Sequence, residues 1–457
     1  MPLWPSRALL LRSWSSASGR TARLQRYQGH SSMNAMPKIT FFLGARPDSS
    51  LPDALAHSNA LPAWEPFDPR AVTFVGKFSQ KLLTHPRIRE FPELAALAHW
   101  FRAARLRELE QTRPTLTDAI VRGRGLVFHL APANVDSVAM YSWLIALLAG
   151  NVNWVRVSQK PSTQFDFIMA VLQQTLADEA AGHPIVGRVV LLTYPHDEAV
   201  THTISAAAMC RVVWGGDATV AAIRAIPLRP SATELCFPDR FSAAAINAPA
   251  VLALDDAALH QQAAAFYNDA FWFAQQACSS PRLLAWVGHA SECAQAQQRF
   301  WAAVQSQVAR MQPENTAAMH MARLGTAFDM AAQALAHPAP EQTAGAHPLR
   351  LTLEQALQPA MKDLHCGNGL FLEQRLNHLH ELAPQLSDKE QTLTVLGFNR
   401  AELLDLVDSL PPRAIDRIVP FGEALSFAPV WDGVDLFTAF TRQISLPPQA
   451  HSTPQGS

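Results

Sequence analysis

GLVFHLAPANVDSVAMYSWLIALLAGNVNWVRVS, residues 125–158, sets two short apolar runs on either side of a longer one. The flanking runs, Leu126 to Leu130 and Asn153 to Ser158, have strand length. The run between them, Ser137 to Leu148, has helix length and ends at Gly150-Asn151, a helix-stop pair. A strand, a helix and a strand in so little chain read as a βαβ unit with its strands parallel. The alternation continues outward, with strands expected at Arg188 to Tyr194 and Arg211 to Trp214 and helices at Thr163 to Ala177, Glu198 to Ala207 and Ala218 to Ala225. Such a series makes a doubly wound α/β domain on a parallel sheet, whose ligands lie beyond the carboxyl ends of the strands. Three loops at those ends stand out: Ala131-Pro132-Ala133-Asn134, Ser158-Gln159-Lys160-Pro161 and Trp214-Gly215-Gly216-Asp217.

Composition narrows the class. The chain has 457 residues, is 49% hydrophobic and carries 37 basic against 38 acidic side chains, a net charge of -1. That balance argues against nucleic-acid binding, and the apolar content excludes disorder; the length suits about two or three cores. Cys210, Cys236, Cys278, Cys293 and Cys366 are odd in number and lack any Cys-x-x-Cys pair, so neither a disulfide framework nor a cysteine zinc site is indicated, and a reducing compartment, the cytoplasm, is expected. No charged residue falls between Asp136 and Arg156, but Gly150-Asn151 breaks that stretch, which reads as a buried helix rather than a membrane span.

Residues 1–32 carry Arg7, Arg12, Arg20, Arg23 and Arg26, several serines and no acid, the composition of a transit peptide. The sequence favours instead a start assigned too far upstream, since Met33 and Met36 precede the first core-like run, Ile39 to Leu43. The expected organisation is an extension over 1–32, an N-terminal region with a dinucleotide-binding domain over 33–246, a catalytic domain over 247–437 and a closing segment with a solvated tail over 438–457. After a strand at Phe241 to Ile246, a long helix from Asp256 to Phe273 runs into Gln275-Gln276-Ala277-Cys278-Ser279-Ser280-Pro281 and a strand at Leu283 to Val287. The Pro/Ala stretch from Pro338 to Pro348 reads as an internal loop.

Cys278 occupies a polar, backbone-rich corner between helix and strand, where a thiol is exposed to a substrate, so it is a candidate nucleophile. A free cysteine is more often a small buried hydrophobe, the reading for the other four. Gly215 and Gly216 follow an apolar strand and open a helix, which suits a phosphate at a helix N-terminus or equally a tight turn with Asp217 as cap; the full Gly-x-Gly-x-x-Gly fingerprint is absent. Asn134 is either a capping residue or a donor to an oxyanion. Arg156 marks the exposed end of its strand or faces a ribose or phosphate. Phe266, Phe271, Trp272 and Phe273 have the spacing of a core helix and also suit an acyl channel. His378 and His380 fall on different sides of an expected helix, and no histidine set has metal-ligand spacing.

Taken with Gly125-Leu126-Val127-Phe128-His129, Leu148-Ala149-Gly150-Asn151, Val213-Trp214-Gly215-Gly216-Asp217, Phe266-Tyr267-Asn268-Asp269, Gln275 to Pro281, Arg417-Ile418-Val419-Pro420-Phe421-Gly422 and Pro429-Val430-Trp431-Asp432-Gly433, the chain from about Val121 to Phe437 resembles the acyl-CoA reductase family typified by the fatty acid reductase of bacterial bioluminescence, a branch of the aldehyde dehydrogenase superfamily. The resemblance implies an aldehyde-dehydrogenase-like α/β fold, with a doubly wound cofactor domain beside an α/β catalytic domain, and NADPH-dependent reduction of a long-chain fatty acyl-CoA to the aldehyde. It implies Cys278 as the acyl-accepting nucleophile, and Asn134 with the backbone N–H at the cysteine as the oxyanion hole. Arg156 stands where relatives hold the adenosine ribose, and an arginine suits a 2'-phosphate. Gly215 and Gly216 fall beside the cofactor phosphates. It implies, too, an acyl-CoA or acyl-protein substrate, an acyl-activating partner subunit and a homo-oligomer. The hydrolytic Glu-Leu-Gly-Gly-Lys block of oxidising relatives is replaced: Glu234-Leu235 is followed by Cys236-Phe237 and lies 44 residues before Cys278. Glu373 is the one residue offered as the holder of the nicotinamide ribose. The rival readings are an oxidising aldehyde dehydrogenase and a catalytically silent scaffold or carrier subunit.

Overall fold

The computed structural model describes residues 38–45, 49–113, 118–132, 136–160, 162–177, 184–340, 342 and 346–447. Every element below belongs to the unit that runs from Ile39 onward. Its first strands are β1 (Thr40–Leu43), β2 (Ala119–Gly123), β3 (Leu126–Leu130), β4 (Val152–Arg156), β5 (Val189–Thr193), β6 (Cys210–Trp214) and β7 (Thr233–Phe237). All but β2 form a six-stranded sheet in the order β1-β5-β4-β3-β6-β7. It is parallel except for β1, which runs antiparallel along β5 at one edge. The crossover helices Asp136–Leu148, Thr163–Ala177, Glu198–Ala207 and Asp217–Arg224 lie within a residue of the positions the sequence pattern predicts.

Helix Asp136–Leu148 is apolar on every side because it is covered on every side: eleven of its residues are buried, and Trp143 and Leu144 join the core beneath helices Pro69–Thr84 and Pro92–Trp100. It is a core helix. Among the described residues no helix is long and apolar enough to cross a membrane. Gly150 ends it with a φ of +92, and a Cβ there would meet the Trp64 carbonyl oxygen at 2.2 Å, so only glycine fits. Asn151, fully buried, accepts from the Gly125 N–H (3.1 Å) and donates from Nδ2 to the carbonyls of Ala146 (2.9 Å) and Phe440 (3.0 Å).

The second sheet contains β8 (Phe241–Asn247), β9 (Leu283–Val287), β10 (Ala336–Pro338), β11 (Leu349–Leu353), β12 (Leu370–Leu376), β13 (Glu390–Leu396) and β14 (Arg417–Pro420), in the order β10-β11-β12-β9-β8-β13-β14. Only the β10–β11 pair is antiparallel. One face packs on helices Asp256–Phe271 and Ala290–Met311 through Phe266, Trp286, Phe300 and Trp301; the other is covered by a separate cluster around Leu283, Leu351 and Leu393.

Here the expected domain boundary at residue 246 is corrected. β8 lies inside the second sheet, between β9 and β13, so the chain changes sheets in Pro238-Asp239-Arg240, between β7 and β8. An apolar strand reads the same whichever sheet it joins, and three residues suffice to pass between sheets. In the Pro338 to Pro348 stretch, Pro338 closes strand β10 and the other described residues lie in no helix or strand, as a loop should. Beyond β14, β15 (Val430–Trp431) pairs with β16 (Val434–Asp435), and β17 (Thr441–Ser445) returns antiparallel to β2.

Replacing Asn151 with alanine leaves the Gly125 N–H without its acceptor and takes from the Phe440 carbonyl one of its two donors, the other being the Arg124 N–H. The variant is expected to lose about 3 kcal/mol of stability, read as a lower urea midpoint at unchanged slope.

Candidate active site

The carboxyl edge of the first sheet faces the segment that leads into β9, and a cavity of about 320 Å³ lies between them. Its walls bring together Trp214, Gly215 and Gly216 after β6, Phe237 to Asp239 between the sheets, Trp272, Phe273 and Gln276 to Ser279 before β9, and Phe427, Trp431 and Asp432 near the C-terminus. Cys278 is exposed to this space.

The cysteine corner has a definite local cause. The long helix stops at Phe271, two residues before the expected end, because Phe273, Ala274 and Gln275 take left-handed φ values of +53, +50 and +63. Left-handed backbone costs roughly 1–2 kcal/mol per non-glycine residue, so the run needs external holders. Gln275 is fully buried and supplies two: its Nε2 donates to the Pro281 carbonyl (2.8 Å) and its Oε1 accepts from the Gly369 N–H (2.9 Å). The Asn368 N–H donates to the Ala274 carbonyl at 2.8 Å, Ser280 Oγ to the Asp269 carbonyl at 2.7 Å, and Ser242 Oγ to the Cys278 carbonyl at 2.7 Å. Ser279 and Ser280 turn inward while Cys278 is left facing the cavity.

The thiol is open to the cavity yet ringed by protein on its other sides. That crowding pushes it up to about 11; Asp432 adds to the rise, while the Arg282 guanidinium opposes it. Asp432 has a left-handed φ of +48, accepts a hydrogen bond from Gln391 Nε2, and faces Arg240 Nη1 at 3.5 Å; Arg240 is also paired with Asp416. Burial raises the Asp432 carboxyl, Arg240 and Gln391 working against it.

Gly216 is the N-cap of helix Asp217–Arg224 and provides no side-chain cap, so among the described residues the first N–H groups of the helix have no side-chain acceptor and suit an anion. A Cβ on Gly216 would meet nothing within 4 Å. Asp217 is thus the first helical residue rather than the cap, and its carboxylate accepts the Asp239 N–H at 3.2 Å. Arg156 closes β4 on the same edge of the sheet, outside the cavity, with its guanidinium 4.8 Å over the Tyr194 ring, Nη2 donating to the Tyr194 carbonyl and Nε buried without a partner among the described residues. The open helix end and the orphaned guanidinium nitrogen fit the phosphates of a dinucleotide.

Not every expectation converges here. Asn134 lies outside the described residues. Glu234 is drawn away from the cavity by Arg211 (2.5 Å) and Arg224 (3.4 Å). Glu373 is no ribose holder: it is buried in the second sheet, accepting from Trp286 Nε1 (3.0 Å) and Trp301 Nε1 (2.7 Å) beside Arg350. Phe266 and Phe271 are core residues, and only Trp272 and Phe273 reach the cavity. His378 and His380 stack on one another at 5.5 Å rather than diverging, because the segment from Leu379 is a 3-10 helix and His378 precedes it. Among the described residues no group of histidine, cysteine or acidic side chains makes a metal site. Arg282, Asp239 and Asp432 carry no local signal of a role, although Asp432 lies in the Pro429 to Gly433 motif.

The fold is that of the aldehyde dehydrogenase superfamily. An indole-3-acetaldehyde dehydrogenase complexed with NAD+ is similar at TM-score 0.62 and 13% identity, over 86% of this chain and 87% of the other. An NAD-dependent aldehyde dehydrogenase from Sinorhizobium meliloti gives 0.61 and 11%, over 88% of each chain, and betaine aldehyde dehydrogenase from Staphylococcus aureus 0.59 and 11%, over 86% of each. No curated protein matches the sequence. The profile of one family, acyl-CoA reductase (LuxC), matches residues 57–443, and the chain belongs to that family. It is therefore an oxidoreductase acting on acyl or aldehyde groups.

The wall containing Leu425 and Phe427 depends on Asp269, a buried carboxylate that accepts the N–H groups of Gly422 (2.7 Å) and Ala424 (2.9 Å). Asparagine has only one acceptor oxygen to offer them. Asp269→Asn is expected to cost about 1–3 kcal/mol and to speed hydrogen exchange at the Gly422 and Ala424 amides.

Proposed function

We propose that the protein reduces a long-chain fatty acyl-CoA to the aldehyde, using NADPH, through a thioester on Cys278. The observation that carries this reading is the exposed thiol in an aromatic-walled cavity whose opposite wall is the open helix end at Gly215 and Gly216. The Cys278 thiolate attacks the thioester carbonyl; the oxyanion is held by Asn134 and the Cys278 backbone N–H; CoA leaves as its thiol, and the acyl group stays on sulfur. A bound nicotinamide cofactor supplies the hydride. Cys278 then departs as a thiolate from the resulting hemithioacetal and the aldehyde is released.

Arg156, with Gly215 and Gly216, would hold the cofactor, and the guanidinium supports NADPH because it suits a 2'-phosphate. Glu234 is tied to two arginines and does not line the cavity that holds Cys278, which supports reduction over hydrolysis. The donor is acyl-CoA, or an acyl group presented by an activating subunit.

Intact mass after incubation with tetradecanoyl-CoA, without NADPH, tests the reading. A gain of one acyl group is expected, lost in Cys278→Ala and discharged by NADPH. An adduct that survives in Cys278→Ala, or one that NADPH leaves untouched, overturns the mechanism; an adduct formed only from an acyl-protein donor transfers the substrate to that donor. Asn134→Ala removes one oxyanion donor, worth about 3 kcal/mol, so acylation measured by the same assay should slow roughly a hundredfold.

A further inference from the structure

Arg282 stands four residues after Cys278, immediately before β9, and lines the same cavity. It is only 8% exposed, yet among the described residues its guanidinium donates no hydrogen bond and meets no carboxylate, and its Nε is buried without a partner. Only the backbone is anchored, its N–H donating to the Ser242 carbonyl and its carbonyl accepting from Leu372, both at 2.9 Å. A buried N–H of a cation left without an acceptor is unfavourable, so this nitrogen is held at a cost. Among the described residues the other buried cations of this half have side-chain partners: Arg240 has Asp416 and Asp432, Arg350 has Glu373, Lys362 has Glu390 at 2.6 Å, and Arg323, which meets no carboxylate, donates to the Asn368 carbonyl and to Asn315 Oδ1.

The surroundings identify the missing partner. The ionisable side chains lining the cavity besides Cys278 are Glu93, Asp239, Asp432 and Arg282. Asp239 lies 3.4 Å from Lys389 and Asp432 faces Arg240. Behind Arg282 lie the Phe241 ring, 6.0 Å from the guanidinium, and His365, kept neutral by burial and by that same guanidinium. A thiolate at Cys278 is repelled by Asp432 and Asp239; the Arg240 backbone N–H favours it, and among the described residues Arg282 is the one cation on the cavity wall that attracts it.

We infer that Arg282 is the counter-charge of the Cys278 thiolate: a guanidinium held without a partner in the resting protein so that its charge acts on an anion that exists only when the thiol has given its proton to water. The inference rests on Cys278 being the nucleophile. It makes Arg282 a residue of activation rather than of stability, and those two roles separate experimentally.

The test is the pH profile of Cys278 alkylation by iodoacetamide, localised by peptide mass, in the full chain without substrate, for the wild type, Arg282→Met and Arg282→Lys. Arg282→Met is expected to move the midpoint to higher pH; below the midpoint the alkylation rate should fall roughly tenfold for each pH unit that the midpoint rises, with Arg282→Lys recovering most of the rate. The melting temperature of Arg282→Met should be no lower than that of the wild type, because an unmatched buried charge is gone. A profile that superimposes on the wild type, or a large fall in melting temperature, overturns the inference. If the acyl adduct forms on Cys278 while the profiles superimpose, the role of Arg282 falls alone; if the profile moves but no adduct forms, the proposed reaction falls and the counter-charge stands.

Discussion

The side-chain amide of Gln275 is the constraint on which the site depends. Three consecutive left-handed residues are an unfavourable way to leave a helix, and the two hydrogen bonds from this one buried amide, to Pro281 and from Gly369, lock them. Because Gly369 leads into β12 and Pro281 into β9, the thiol is positioned by the second sheet. The open helix end at Gly216 belongs to the first sheet. The cavity exists only where the edges of two independently built sheets face one another, which is why Pro238-Asp239-Arg240, the crossing between them, also lines or borders it.

Around this geometry the electrostatics favour a resting thiol. Crowding by protein and the nearby Asp432 carboxylate hold it up to about 11, far from the acidic values of thiols exposed at strongly electropositive sites. Asp432 is itself fastened by Arg240 and Gln391 and strained at its backbone, so it is a fixed part of the wall. A cysteine kept protonated in the absence of substrate is protected from adventitious oxidation, its ionisation opposed by burial and two carboxylates and aided by one guanidinium and the Arg240 N–H.

The βα series from Leu126 to Ala207 was legible because each element is decided locally: the apolar runs have strand or helix length, and Gly150-Asn151 or Asp197 marks an end within a residue or two. The location of Cys278 at an exposed corner was legible for the same reason. Sheet membership was not, since Phe241–Asn247 is an apolar strand whose partners, β9 and β13, come tens of residues later or more. Glu373 misled because a carboxylate beneath two indoles has the same one-residue signature as one that binds a ribose. Arg282 and Asp432 went unassigned because their meaning arises from convergence across 150 positions of chain, which no local pattern records.

The first sheet is complete in sequence by Phe237, but the turn that ends its central helix is not satisfied by its own half of the chain. Asn151 donates to Phe440, and β2 finds its partner only in Thr441–Ser445. Closing a loop of that size must precede the contacts that reward it, so this junction is a late event in folding. During synthesis the half that carries the first sheet emerges first and waits with β2 unpaired until Thr441–Ser445 has left the ribosome, and a chain stopped short of Phe440 would have both sheets encoded and no seam joining β2 to β17.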